Sequence, residues 1–150
     1  MDFSRVELAD DDVAFRDDLR TIIAEIVTDD VIRRDRVTGE NFDEGVHLAL
    51  GEAGYLARDW KLEPDGGFTR VQRRIWELEI GRAHTPWFHW GTTAMVAHAV
   101  DEFASPELKA EVLPDVLTGK SRLCLGYTEP EGGSDIATCK TKAVRDGERY

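Results

Sequence analysis

The run Leu125-Gly126-Tyr127-Thr128-Glu129-Pro130-Glu131-Gly132-Gly133-Ser134-Asp135 concentrates the groups best suited to chemistry. Thr128 and Ser134 bring hydroxyls that donate to phosphate oxygens or to ring heteroatoms. Between them Pro130 marks a turn, and the Gly132-Gly133 pair carries no Cβ, so its N–H groups can approach an anion closely. The pattern reads as an anion-binding loop at the end of a strand. The same residues also suit a plain strand-ending turn, with Ser134 and Asp135 satisfying local amides.

Elsewhere the reactive side chains are scattered. His47, His84, His89 and His98 form no i, i+4 pair and no H-E-x-x-H motif. Core or surface positions therefore suit them better than metal or general-base roles, and no metal site is expected. Cys124 and Cys139 fit neither a metal spacing nor a disulfide framework, which makes a reducing, cytoplasmic setting the default.

Elements of helical period must carry this loop. Phe15, Leu19, Ile22, Ile23 and Ile26 form a first stripe, with Asp10, Asp11 and Asp12 suited to its N-terminus. Val46, Leu48, Ala49 and Leu50 form a second, stopped near Gly54, and a turn at Glu63-Pro64-Asp65-Gly66-Gly67 follows. Phe68, Val71, Ile75 and Leu78 form a third, ending near Gly81. A fourth carries Phe88, Thr92, Met95, Val96, Ala99 and Phe103, and is apolar around so much of its circumference that burial is expected, with Trp87, Phe88, Trp90 and Met95 in the core. Ser105-Pro106 caps and opens a fifth helix through Leu108, Val112 and Leu113, which Pro114 is expected to kink or end.

After Gly119 the period changes. Leu123, Leu125 and Tyr127 alternate with Cys124, Gly126 and Thr128 as in a strand, and Thr141, Ala143 and Arg145 suggest another. Asp146-Gly147 is a hairpin turn signal with only Glu148, Arg149 and Tyr150 left to return. A hairpin lacking one arm implies a chain that continues beyond residue 150.

Composition limits the partners. With 30 acidic against 19 basic residues the net charge is −11, which argues against nucleic acid, and residues 85–100, an uncharged run that includes two histidines, fall short of a membrane span. The acidic start resembles neither a secretory signal nor a transit peptide. A phosphate-bearing cofactor stays open, because such sites are built locally from backbone amides.

Residues 128–135 closely resemble the T-E-P-E-A-G-S-D signature of the acyl-CoA dehydrogenase family, matching it at seven of eight positions. Lys140-Thr141 and Val144-Arg145-Asp146-Gly147 continue the resemblance. Weaker matches precede it: Gly54, Trp60, Pro64 and Gly66-Gly67, then Ser105-Pro106-Glu107-Leu108-Lys109, Leu113-Pro114 and Thr118-Gly119. The family implies a mainly α architecture, with an N-terminal helical domain at 1–122 and the first strands of a β-barrel-like middle domain at 123–150. It implies FAD held by Leu125, Tyr127, Thr128, Gly133 and Ser134, with the Tyr127-Thr128 strand donating to the pyrimidine side of the isoalloxazine. It implies an acyl-CoA substrate touched by Ser134 and bordered by Phe88 and Met95, an electron-transfer flavoprotein as acceptor, and a homo- or hetero-oligomer.

Two departures from the pattern are visible. Gly132 replaces the usual Ala, which loosens the turn, and the bulky Tyr127 precedes the Thr, which reshapes the pocket. The Gly126-Tyr127-Thr128 version resembles members that act on steroid side chains or other bulky acyl groups. No catalytic residue is assigned, because the family's glutamate base is expected beyond residue 150. Two alternatives stay open: an oxidase or flavin monooxygenase of the same superfamily, and a non-catalytic partner subunit.

Overall fold

A computed structural model describes residues 7–126 and 128–148. Asp10, Asp11 and Asp12 open α1 (Asp10–Ile26), where their charges meet the positive end of the helix dipole. Phe15, Leu19 and Ile23, spaced by four, form its buried face. α2 (Asp29–Thr38) starts on the Thr28 hydroxyl, which accepts from Val31 N–H, and stops where Gly39 takes φ +69°. α3 (Glu44–Glu52) and α4 (Tyr55–Trp60) are joined through Gly54, also left-handed. A 3₁₀ turn at Glu63–Asp65 occupies the Pro-Gly loop.

α5 (Arg70–Arg82) packs on α1, and the Arg20 guanidinium grips the Glu79 carboxylate through two bonds of 2.9 and 2.7 Å. α6 (His89–Phe103) packs on α7 (Pro106–Leu117). Leu19, Leu50 and Leu56 are sealed from solvent, a contribution of about 1.5–3 kcal/mol each. The aromatic centre joins Phe15, Tyr55, Phe68, Trp76 and Trp87, with Tyr55 stacked on Trp76 at 5.5 Å and Trp87 edge-on to Trp76 at 5.2 Å. Among the described residues no helix is long and apolar enough to cross a membrane.

Several sequence expectations need correction. Phe68 precedes α5 rather than belonging to it, because Thr69 caps the helix in a reciprocal box with Gln72. The inward face of α5 is Ile75, Trp76 and Ile80, while Val71 and Leu78 are exposed. On α6 the buried residues are Trp90, Thr93 and Ala97, and Phe88, Met95 and Phe103 stand 69%, 51% and 84% exposed. Phe88 and Met95 are therefore not core; a helix apolar on two faces buries only the face that meets a neighbour. α7 runs one turn past Pro114, whose carbonyl accepts both the N–H and the hydroxyl of Thr118.

The expected strands also differ. Among the described residues there is no β-strand: residues 123–126 carry no regular structure, and 128–148 form turns, isolated bridges and largely exposed loop. A strand exists only through a neighbour's N–H and C=O groups, and the described chain offers the segment none. At the Asp146-Gly147 turn, Gly147 takes φ +63° and its carbonyl accepts from Arg145 Nε at 2.9 Å, while the returning Arg149 and Tyr150 lie outside the described residues.

Candidate functional site

Thr93 ties the helices to the segment that leads into the motif. Thr93, buried on α6, places its hydroxyl 3.2 Å from both the N–H and the carbonyl of Leu123, accepting from the first and donating to the second. One side chain thus stands in for a neighbouring strand. It anchors Leu123, which is half-buried against the core, at the point where the chain leaves the helices. Beneath this, Trp90 is held by its indole N–H, which donates to Asp59 Oδ2 at 2.8 Å, while Arg73 Nη1 donates to Asp59 Oδ1 at 2.9 Å. Neither arrangement is legible in the sequence, because the partners lie 30 and 31 residues apart.

The expected loop is built as a set of closed turns. Glu129 N–H donates to the Gly132 carbonyl at 3.0 Å and Gly132 N–H to the Glu129 carbonyl at 3.2 Å, so Pro130 and Glu131 form the tip of a tight reverse turn. Asp135 Oδ1 then accepts from Ala137 N–H at 3.1 Å, opening a 3₁₀ turn at Ile136–Thr138, and the Thr138 hydroxyl donates back to the Asp135 carbonyl. Asp135 thereby takes the local amide-satisfying role that a simple turn would give it.

Both glycines of the pair occupy tight positions. A Cβ on Gly132 would stand 2.6 Å from Thr138 Oγ1, and one on Gly133 would stand 3.2 Å from the Thr128 methyl. Gly132 therefore does more than loosen the turn. It gives the Thr138 hydroxyl the space that the usual Ala would occupy, while Gly133 keeps the face of Thr128 open.

Glu129, to which the sequence assigned no role, is the hub of the loop. Its carboxylate accepts from Cys139 Sγ at 2.9 Å, Lys140 N–H at 2.8 Å, and Thr141 through both N–H at 2.7 Å and the hydroxyl. The Cys139 thiol and Thr141 hydroxyl, followed by the two amides, hold its pKa down at about 2.

The expected site residues lie along this stretch. Leu125, Thr128, Gly133 and Ser134 are exposed, and Tyr127 lies outside the described residues. Phe88, just before α6, and Met95 on it are exposed to solvent. A cleft of about 400 Å³ lined by His89, Thr92, Thr93, Arg122, Leu123 and Cys124 runs beside the anchor. Arg122 lies over the Phe42 ring at 4.1 Å and donates to His89 Nδ1 at 3.4 Å. His47 is buried beside Phe42 and Trp90, and both its ring nitrogens are without partners among the described residues. Burial, with Arg122 nearby, holds its pKa below the ordinary value.

A family model described as "Acyl-CoA dehydrogenase, N-terminal domain" matches residues 9–120, and the chain belongs to the acyl-CoA dehydrogenase family. Its helices resemble the N-terminal domain of that fold. Among curated proteins it is 36% identical over 102 residues to acyl-CoA dehydrogenase FadE29 of Mycobacterium tuberculosis, covering 67% of this chain and 26% of that protein. The solved ChsE4-ChsE5 complex from Mycobacterium tuberculosis superposes with a TM-score of 0.68 at 27% identity, over 96% of this chain and 37% of that one. A structure titled Tcur3481-Tcur3483 steroid ACAD gives 0.71 at 28% identity, over 96% and 38%. The chain therefore spans between a quarter and two fifths of the length of these relatives.

The family implies FAD, and the donor set here fits such a group. Thr128 and Ser134 offer exposed hydroxyls, and exposed Gly133 between them presents backbone without a Cβ.

Proposed function

We propose that this chain is the N-terminal part of an FAD-dependent acyl-CoA dehydrogenase that oxidises a bulky, steroid-like acyl-CoA thioester at its α,β bond. The observation that carries the reading is the 128–135 loop, where exposed Gly133 stands between the exposed hydroxyls of Thr128 and Ser134 in a family member. FAD, when bound, supplies the hydride acceptor for this oxidation. On this reading Leu125, Tyr127 and Thr128 line the ring, with the Thr128 hydroxyl donating where the ring gains negative charge. Gly133 and Ser134 hold the pyrophosphate and the thioester, and exposed Phe88 and Met95 border the acyl chain. Residues 1–122 form the helical domain and 123–150 open a middle β domain whose remaining strands supply the missing ladder. The glutamate base lies beyond residue 150, an electron-transfer flavoprotein reoxidises the protein, and the setting is cytoplasmic. The bulky-substrate assignment draws on the similarity to a steroid ACAD.

A second reading makes the polypeptide one of two unlike subunits, with catalysis shared or left to its partner. Similarity to a complex of two differently named chains, ChsE4 and ChsE5, favours it.

Thr128→Val and Ser134→Ala separate the roles of the loop. Each removes one neutral hydrogen bond, about 0.5–1.5 kcal/mol, so several-fold effects are expected. The first should shift the flavin spectrum or affinity, and the second should weaken acyl-CoA binding. Unchanged spectra and unchanged affinities in both variants would reduce the loop to a structural turn.

A further inference from the structure

Four donors converge on a single carboxylate at the base of the motif turn. An ionised carboxylate is an acceptor-only group with about four lone-pair sites, and the Glu129 oxygens receive Cys139 Sγ, Lys140 N–H, Thr141 N–H and the Thr141 hydroxyl. The Glu129 backbone meanwhile closes the reverse turn with Gly132. Main chain and side chain of one residue therefore fasten two separate stretches, the turn that presents Gly133 and Ser134 and the segment 139–141. Between them the Thr138 hydroxyl lies in the space left by the missing Cβ of Gly132. The arrangement is local and exposed, away from the helical core, so nothing in that core depends on it. Glu131, two residues along in the same turn, is exposed at its tip.

We propose that Glu129 is the positioning residue of this loop: its carboxylate gathers residues 139–141 and so fixes where Thr128, Gly133 and Ser134 present their donors. That those donors meet a flavin rests on the proposed function above; the fastening itself does not. A carboxamide cannot replace the carboxylate, because its NH₂ would face donors where an oxygen now accepts.

The test compares full-length wild type, Glu129→Gln, Glu131→Gln, Cys139→Ala and Cys139→Ser by native-state amide exchange at neutral pH and by titration with FAD. In Glu129→Gln the Lys140 and Thr141 amides should exchange about tenfold faster or more, as loss of bonds to a charged acceptor implies, and FAD affinity should fall several-fold. Cys139→Ala should move both readouts in the same direction by less, Cys139→Ser should restore them, and Glu131→Gln should change neither. Unaltered exchange at Lys140 and Thr141 in Glu129→Gln overturns the proposal, as does faster exchange with wild-type FAD affinity. Wild-type protein that takes up no FAD would refute the flavoprotein reading instead, and the exchange rates would then judge the fastening alone.

Discussion

Replacing Thr93 by Val removes its two hydrogen bonds to the segment leading into the motif while leaving the shape of the side chain nearly unchanged. The two residues have similar helix propensities, so α6 itself should be unaffected. What is lost is the pair of 3.2 Å bonds to the N–H and carbonyl of Leu123. Each neutral bond contributes about 0.5–1.5 kcal/mol, giving about 1–3 kcal/mol for the pair. The effect should be local, because Leu123 is followed directly by exposed residues 124–126. Such a change in opening free energy corresponds to about 5- to 150-fold. The assay is native-state exchange of the Leu123 amide, with amides of α1 and α5 as internal references. The Val variant should speed exchange at Leu123 by that factor and leave the references within about twofold, while Thr93→Ser, which retains the hydroxyl, should lie close to wild type. Unchanged exchange at Leu123 in the Val variant would refute the reasoning. Equal acceleration at all amides would show that Thr93 supports the fold as a whole rather than the anchor.

Two further outcomes follow from the buried polar groups. Asp59→Ala leaves the sealed Trp90 indole N–H without an acceptor and should cost about 1.5–3 kcal/mol in urea unfolding, with Asp59→Asn costing less. His47 has a folded-state pKa below its ordinary value of 6.5, so the unfolded chain binds the extra proton first. Its contribution to stability is therefore complete above about pH 6.5 and is lost as the pH falls from there toward the lowered folded value. Unfolding free energy measured across that window should decline, and His47→Phe should flatten the decline.

The helical half of the fold was legible because apolar spacing records a buried face directly. Phe15, Leu19 and Ile23 stand at helical intervals and are buried. Legibility failed where a helix offers two apolar faces. Nothing in the spacing of Phe88, Met95 and Phe103 tells which side of α6 meets a neighbour, and the structure turns Trp90, Thr93 and Ala97 inward instead. Two helices went unread: α2, which buries only Val31 and so carries no apolar stripe, and the short α4, whose six residues hold too little pattern. In the candidate site the glycine pair and hydroxyls were evident from residue type. Glu129 was not, since its partners lie 10 to 12 residues away and two of them are backbone amides that any residue would supply. Strand alternation at 123–128 was legible as a pattern, but pairing depends on neighbours that the pattern does not contain.

The most direct measurement is the flavin content of the full-length polypeptide, purified without denaturant and then titrated with FAD. The expected result is a yellow protein whose absorbance bands are shifted from those of free flavin, with FAD released on unfolding. Those bands should bleach when a steroid-like acyl-CoA is added. A folded, colourless protein that leaves the absorbance and fluorescence of added FAD unchanged would contradict the flavoprotein reading.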